Sequence, residues 1–314
     1  MRILVNDPIV KEAIDLLRAK HEVDVKEYDA GDLLSKIPRY DAIIVRSRTK
    51  MTADIIKEGE NLKVIGRAGV GVDNIDVGTA TERKIPVVFS PRGSTVSVAE
   101  LAIGHMLSLA RNLVISDRSV RAGKWEKKRF VGTELQDKVL GLVGAGRIGA
   151  EVTKRAKAFG MRVLAFDPYL NEEIAAKIGV ELVDLHELLS ESDFVSIHAV
   201  LSPETKGIIG KEELEMMKKS AYLVNCARGG IIDERALADG LREGLIAGAA
   251  LDVFENEPPK DSPLLNLDNV HFTPHLGAST IEAQERAGTM VAEQVLMVLD
   301  GGVPDQVVNR EIYD

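Results

Sequence analysis

Three segments in the second half of the chain carry side chains suited to chemistry at a carbon beside a carboxylate: 223–233, LVNCARGGIID; 250–259, ALDVFENEPP; and 272–280, FTPHLGAST. Arg228, Glu257 and His275 stand out in them. Interconverting a 2-keto and a 2-hydroxy acid needs more than a hydride. A cation must hold the carboxylate and polarise the carbonyl, an acid must protonate the new alkoxide, and something must tune that acid. The planar guanidinium of Arg228 matches a carboxylate. The imidazole of His275 titrates near neutral pH, so it can act as acid in one direction and base in the other. A carboxylate such as Glu257 beside it favours the imidazolium and orients the ring. Spacing alone leaves plainer readings open: a helix-start or core histidine after Pro274, a surface loop charge before two prolines, an arginine capping a helix beside two glycines. His21, His105, His186, His198 and His271 read as structural, with His198 a candidate neighbour of a cofactor.

The hydride carrier has its own signature. Residues 138–149 read KVLGLVGAGRIG, a strand running into Gly144-Ala145-Gly146-Arg147-Ile148-Gly149 ahead of a helical pattern. Gly144 permits the tight turn, Gly146 lets backbone approach a pyrophosphate, and Gly149 allows close helix–strand packing. The helix N-terminus offers N–H groups and a positive dipole end to the phosphates. The next strand, Arg162–Phe166, ends in Asp167, placed to bind ribose hydroxyls. A carboxylate there repels a 2′-phosphate, so NAD is expected over NADP. The plainer reading of Asp167 is a strand-end turn residue.

These loops need a scaffold that delivers them to one edge. Strands are expected at Ile3–Val5, Ala42–Val45, Val64–Ile65, Val87–Val88, Val139–Val143, Arg162–Phe166, Phe194–Ile197, Tyr222–Asn225, Gly248–Val253 and Val270–Phe272. They are continuous apolar runs, as in parallel strands buried on both faces. Helical patterns lie between them: Ile9–Lys20, one long helix over Ser97–Gly123, Gly149–Phe159, Lys211–Met217, Glu234–Glu243 and Ile281–Leu299. The order predicts an α/β protein with doubly wound parallel sheets. Two βαβ arrays joined by Ser97–Gly123 and by the helix from Ile281 imply a chain that leaves one domain, builds a second and returns.

The chain's 314 residues fit about two domains. A net charge of −9 argues against nucleic acid or an anionic membrane as main partner. Cys226 is the only cysteine, so no intrachain disulfide and no cysteine-based metal site can form, and no metal is expected. The start, MRILVNDPIV, does not read as a signal peptide. No segment reads as a membrane span, because Glu100 and His105 interrupt the most apolar stretch. The expected compartment is the cytoplasm. The Ser97–Gly123 pattern is apolar on more than one face, which predicts at least a dimer, with this helix and the Trp125–Phe130 arm at the interface; the plainer reading is burial within one subunit.

GLVGAGRIG, NCARGGIIDE, GAALDVFENEPP and PHLGAST closely resemble the D-2-hydroxyacid dehydrogenase family, and the resemblance runs over nearly the whole chain. Upstream, VRSRT, GRAGVGVDNID, SVAELAIGHMLSLAR and GKWEKKRFVGTEL are similar to its phosphoglycerate-oxidising branch. The resemblance implies that the family's Arg/Glu/His set falls on Arg228, Glu257 and His275. It implies cofactor contacts at Gly144, Gly146, Arg147, Ile148, Gly149, Asp167, Ala199, Cys226, Ala227, Asp252, Gly277 and Ala278. It implies substrate contacts at Arg46, Ser47, Arg67, the loop Gly69-Val70-Gly71, Ser94 and Lys127. It further implies a Rossmann-type NAD-binding domain, 95–283, inserted into a flavodoxin-like substrate domain, 1–94 plus 284–314. The expected reaction is NAD-dependent oxidation of 3-phosphoglycerate to 3-phosphohydroxypyruvate, toward serine, by a homodimer or homotetramer.

The sequence departs from the pattern where some members have Asn at Ser94 and Arg at Lys127, which loosens substrate identity more than reaction type. The chain ends at Asp314, so feedback through the serine-binding domain of longer members is not expected. The rivals are a glyoxylate/hydroxypyruvate reductase of the same family and an NADH-sensing corepressor. Arg46, Arg48, Arg67 and Lys127 favour a phosphorylated acid over the first, the plainer reading being that Arg46 or Arg67 pairs with a carboxylate such as Asp73 or Asp76; the intact Arg/Glu/His set weighs against the second.

Overall fold

A computed structural model describes all 314 residues. Residues 1–95 and 278–314 form one compact unit and residues 96–277 a second.

The first unit is a five-stranded sheet: β1 (Arg2–Val5), β2 (Glu22–Val25), β3 (Ala42–Val45), β4 (Val64–Arg67) and β5 (Val87–Phe89), in the order β2-β1-β3-β4-β5. Every pairing is parallel, the flavodoxin-like order. Helices α1 (Lys11–Arg18), α2 (Ala30–Lys36), α3 (Ala53–Glu58) and α4 (Val77–Glu82) connect the strands. The apolar runs are buried on both faces, as β3 shows. Ile43 and Val45 pack with Leu4, Ile65 and Val87 on one side, while Ala42 and Ile44 pack with Ile3, Val5 and Val64 on the other. Each fully buried aliphatic side chain contributes roughly 1.5–3 kcal/mol. Sequence reading missed β2, whose residues EVDV are only partly buried at the sheet edge.

The second unit opens with α5 (Thr95–Ala110) and α6 (Leu113–Arg121). These replace the single helix expected over Ser97–Gly123. Asn112 takes a left-handed conformation, φ 54°, and the helices meet at a 60° bend. Asparagine is one of the few residues that enters this region at low cost. Seven parallel strands follow: β6 (Val139–Val143), β7 (Arg162–Phe166), β8 (Glu181–Leu182), β9 (Phe194–Ile197), β10 (Tyr222–Asn225), β11 (Gly248–Leu251) and β12 (Val270–Phe272). Their order is β12-β11-β10-β9-β6-β7-β8. Renumbered within the unit this is 7-6-5-4-1-2-3, the Rossmann order with a strand added, and the order reverses between β6 and β9. Helices α7 (Arg147–Ala158), α8 (Glu172–Ile178), α9 (Leu185–Glu191), α10 (Lys211–Met216) and α11 (Glu234–Glu243) complete the winding. Two apolar clusters, one around Met106, Leu140 and Val152 and one around Leu188, Leu214 and Leu237, make the sheet doubly covered.

The chain returns to the first unit at Ala278. Helix α12 (Ile281–Leu299), capped by Thr280, packs on β4 so closely that a Cβ at Gly66 would lie 2.8 Å from Val295 Cγ2. Residues 307–309, VVN, lie along β5. Buried Asn309 accepts from the Val87 amide and donates to the Ile85 carbonyl, both at 2.9 Å. No single helix is long and apolar enough to cross a membrane.

Candidate functional site

The glycine loop sits where β6 and β9 diverge in the second unit. Gly144 has φ 90°, and a Cβ there would lie 2.8 Å from Ala199 N, so the turn rests directly on the backbone after β9. A Cβ at Gly149 would meet Gly144 O at 2.8 Å, which locks the start of α7 against the loop. At Gly146 a Cβ would meet no protein atom within 4 Å. Packing therefore does not demand a glycine there, but close approach of a ligand does. No side chain caps α7, so its first-turn amides, from Arg147 on, stay available to an anion. Asp167 is half-buried; it accepts from Ala145 N at 2.9 Å and Tyr169 N at 3.0 Å. It thus makes the strand-end turn and also aims its carboxylate at the glycine loop. Open space at Gly146, uncapped amides and this carboxylate fit a dinucleotide. Asp167→Ala should weaken NAD and relax discrimination against NADP, read as the ratio of the two binding constants. A wild type that already prefers NADP would contradict the role.

At the ends of β10, β11 and β12 the structure brings Arg228, Glu257 and His275 together. His275 Nδ1 lies 2.9 and 3.1 Å from the two Glu257 carboxylate oxygens. A carboxylate only accepts, so Nδ1 carries a proton and Nε2 is the nitrogen free for exchange. The Glu257 hydrogen bond raises the His275 pKa, against partial burial; the charges of Glu257 and Asp252 add to the rise and that of Arg228 opposes it. Burial pushes the Glu257 carboxyl up, but the bond and charge of His275, the Phe254 amide and the Arg228 charge together hold it below its ordinary value. Arg228 thus acts electrostatically on both partners. Its loop is held by buried Asn225, which accepts from Ala227 N and donates to Arg228 O, each at 2.9 Å. A Cβ at Gly229 would strike Phe254 O at 1.9 Å, so only glycine lets the two loops touch.

The other named cofactor positions take varied places. Cys226 is buried, which pushes its thiol pKa up and away from reactivity. Burial pulls His198 down to about 4, leaving it neutral beside Ser196 Oγ at 2.9 Å. Asp252 is fully buried and accepts from Thr273 Oγ1 and the amides of Leu276 and Gly277. Ala278 belongs to the first unit, where it lines a small pocket with Arg46, Gly69, Ser94 and Gln284.

In that unit Arg46 follows β3, Arg67 is the last residue of the adjacent β4, and the loop Gly69-Val70-Gly71 comes next. The Arg67 guanidinium folds over the loop, since a Cβ at Gly69 would lie 1.3 Å from its Nη1. The amides of Val70 and Gly71 donate to no backbone acceptor. Beneath Arg46 lies Asp7, buried and accepting from Arg46 N, Thr49 N, Thr49 Oγ1 and Arg48 Nε. Burial pushes the Asp7 carboxyl up, and these donors together bring it below its ordinary value. Asn74 Nδ2 donates to the carbonyls of Arg46 and Thr49 at 2.7 and 2.6 Å, clipping the two loops together. Arg48, counted among the phosphate-favouring cations, is committed elsewhere: it pairs with Asp7 and Glu27 and donates to the Asn6 carbonyl. Ser47 is exposed, and exposed Lys127 stands on the short turn Lys127–Phe130 of the second unit. Sequence reading missed Asn225, Thr273, Asp7 and Asn74. Asn225 acts within its own strand-end loop, where an Asx-type residue was the available signal; Thr273, Asp7 and Asn74 act on loops 21 or more residues away, which nothing local marks.

A parallel sheet with its glycine loop at the switch point and an acid–base cluster at neighbouring strand ends defines a dinucleotide-binding α/β protein. Residues 103–277 match the family D-isomer specific 2-hydroxyacid dehydrogenase, NAD binding domain, and the chain belongs to the D-2-hydroxyacid dehydrogenase family. It is 55% identical over 311 residues to the D-3-phosphoglycerate dehydrogenase of Methanocaldococcus jannaschii, spanning 98% of this chain but 59% of that one. It is 50% identical over 303 residues to the hydroxypyruvate reductase of Thermotoga maritima, spanning 95% of this chain and 98% of that one. A glyoxylate reductase from Paecilomyes thermophila superposes with a TM-score of 0.89 at 31% identity, over 99% of both chains.

Proposed function

We propose that the chain oxidises 3-phosphoglycerate at C2 to 3-phosphohydroxypyruvate, with NAD as acceptor. The observation that carries the reaction is the Glu257–His275 pair, which turns an unblocked Nε2 into a base. Nicotinamide, when bound, supplies the two-electron acceptor. His275 Nε2 takes the C2 hydroxyl proton, Glu257 stabilises the resulting imidazolium, and Arg228 holds the carboxylate and the oxygen on which charge changes. Support for the phosphorylated substrate comes from Arg46 and Arg67 beside the amides of Val70 and Gly71, on a chain of net charge −9, and from the name of the M. jannaschii relative. One assay tests it: NAD reduction with 3-phosphoglycerate, glycerate, lactate and malate, with 3-phosphoglycerate giving the highest kcat/KM. A flat response across the four contradicts the substrate.

The second reading is a hydroxypyruvate reductase, favoured by the near end-to-end match with the T. maritima enzyme. A corepressor role is weakened by the assembled Arg228–Glu257–His275 set. A cytoplasmic location is part of the proposal and is checked by cell fractionation. So is a homodimer or homotetramer: Leu113, Val120, Trp125 and Val131 leave 53%, 55%, 85% and 81% of their surface exposed on α6 and the arm after it. Light scattering should give a mass of at least two chains, and a monomer at working concentration contradicts the interface.

A further inference from the structure

We infer that His105 and Thr273 are positioning residues for the acid–base step, acting through Asp252 on the loop that carries His275. The inference rests on the proposed role of His275. His275 is one of four non-glycine residues with positive φ, at 55°. Such a conformation persists only where surrounding contacts over-determine it. Those contacts converge on Asp252. The His275 amide donates to its backbone carbonyl at 2.9 Å, and the next two amides donate to its carboxylate, Leu276 to Oδ1 at 2.7 Å and Gly277 to Oδ2 at 2.8 Å.

Asp252 is itself held from below. Thr273 Oγ1 lies 2.6 Å from Asp252 Oδ1, and His105 Nε2 lies 3.1 Å from Thr273 Oγ1. The hydroxyl has one proton, and the carboxylate can only accept, so that proton goes to Asp252. His105 Nε2 must then be the donor to Thr273. Donors run one way, from α5 through Thr273 to the carboxylate that organises residues 275–277. Three turn residues between β12 and the chain's return to the first unit are thereby tied to a buried core helix. The helix is registered against β12 a second time, by Ser108 Oγ at 3.2 Å from His271 Nδ1. His105 is buried and its pKa is lowered by that burial, with Asp252 opposing; His271 is lowered first by its own burial. A neutral His105 with its proton on Nε2 fits the chain of donors. The charged groups acting on His275 are Glu257, Asp252 and Arg228, so a displaced Asp252 reaches the acid–base pair both by geometry and by charge.

The test compares kcat, the KM for NAD and the pH profile of keto-acid reduction in Thr273→Val, Thr273→Ser, His105→Leu, His105→Gln and His275→Ala. Valine keeps the shape of threonine and removes the hydroxyl. Thr273→Val should lower kcat roughly tenfold to a hundredfold, the scale of a misplacement of up to an ångström. It should lower kcat far more than it changes the KM for NAD, and move the alkaline limb of the reduction profile to lower pH. Thr273→Ser should recover most of the loss. His105→Leu should show the same pattern more weakly, and His105→Gln, which keeps a donor, should recover it. Wild-type kcat and profile in Thr273→Val, with His275→Ala inactive, would overturn the relay alone. Equal losses in Val and Ser variants, with KM and thermal midpoint shifted together, would also overturn it in favour of a purely structural role. Full activity in His275→Ala would overturn the reading of the site on which the relay depends.

Discussion

His275→Ala is expected to lose roughly 10²–10⁴-fold in turnover, the usual contribution of a positioned general acid–base, while NADH binds almost as before. The separation follows from geometry. His275 stands after β12 with Nδ1 engaged by Glu257, whereas the groups proposed for the phosphates and ribose are the glycine loop, the α7 amides and Asp167. Nothing in the histidine's contacts supports that loop. A mutant keeping most of its turnover would remove His275 from the role. The companion change, Glu257→Gln, reports through pH. Glu257 raises the His275 pKa, so the acid form survives to higher pH. Reduction of a keto acid needs that form and fails above its pKa. Oxidation needs the neutral form and gains as pH rises through the same point. Removing the carboxylate lowers the pKa, so both limbs should move to lower pH. An unchanged profile would break the pair.

Arg46→Ala should raise the KM for 3-phosphoglycerate by tenfold to a hundredfold and barely change it for an unphosphorylated hydroxy acid. A charge-assisted hydrogen bond is worth on the order of 1.5–3 kcal/mol, and about 1.4 kcal/mol is tenfold in affinity. The substitution is clean because the backbone of Arg46 is fixed independently of its side chain. Its amide is held by Asp7 at 2.5 Å and its carbonyl by Asn74 at 2.7 Å. The guanidinium makes only a 3.5 Å approach to the Pro8 carbonyl. Arg48, by contrast, bonds the frame, so Arg48→Ala serves as the control in which stability falls and the ratio of the two KM values does not change. Equal losses on both substrates in Arg46→Ala would assign Arg46 to the carboxylate or to the fold.

What could be read from the residues alone follows from locality. The glycine loop and Asp167 lie within one βαβ unit, so their spacing carried their geometry. Strands such as β3 and β6 are continuous apolar runs because both faces are buried, and helices α11 and α12 run between a cap and an end that the sequence marks. The two-residue β8 and the polar edge strand β2 lack that signature. The break at Asn112 was hidden because apolar periodicity continues across it, and one left-handed residue suffices to turn the chain. Long-range pairing was out of reach. Arg48 looked like a free cation until Asp7, 41 residues away, engaged it. Asp252, named for the cofactor, turned out to hold the 275–277 turn, with Thr273 and His105 behind it, the latter 168 residues from its partner. Burial and charge limit how many partners a side chain can have, but not which distant loop supplies them.

The most direct test of the account compares 3-phosphohydroxypyruvate with hydroxypyruvate, two keto acids that differ only in the phosphate, as substrates for NADH oxidation by the wild-type chain. The account predicts that both are reduced and that the phosphorylated acid has the higher kcat/KM by at least about tenfold, the scale of one charge-assisted contact. Equal or inverted values would contradict the phosphoglycerate assignment and favour the hydroxypyruvate reductase.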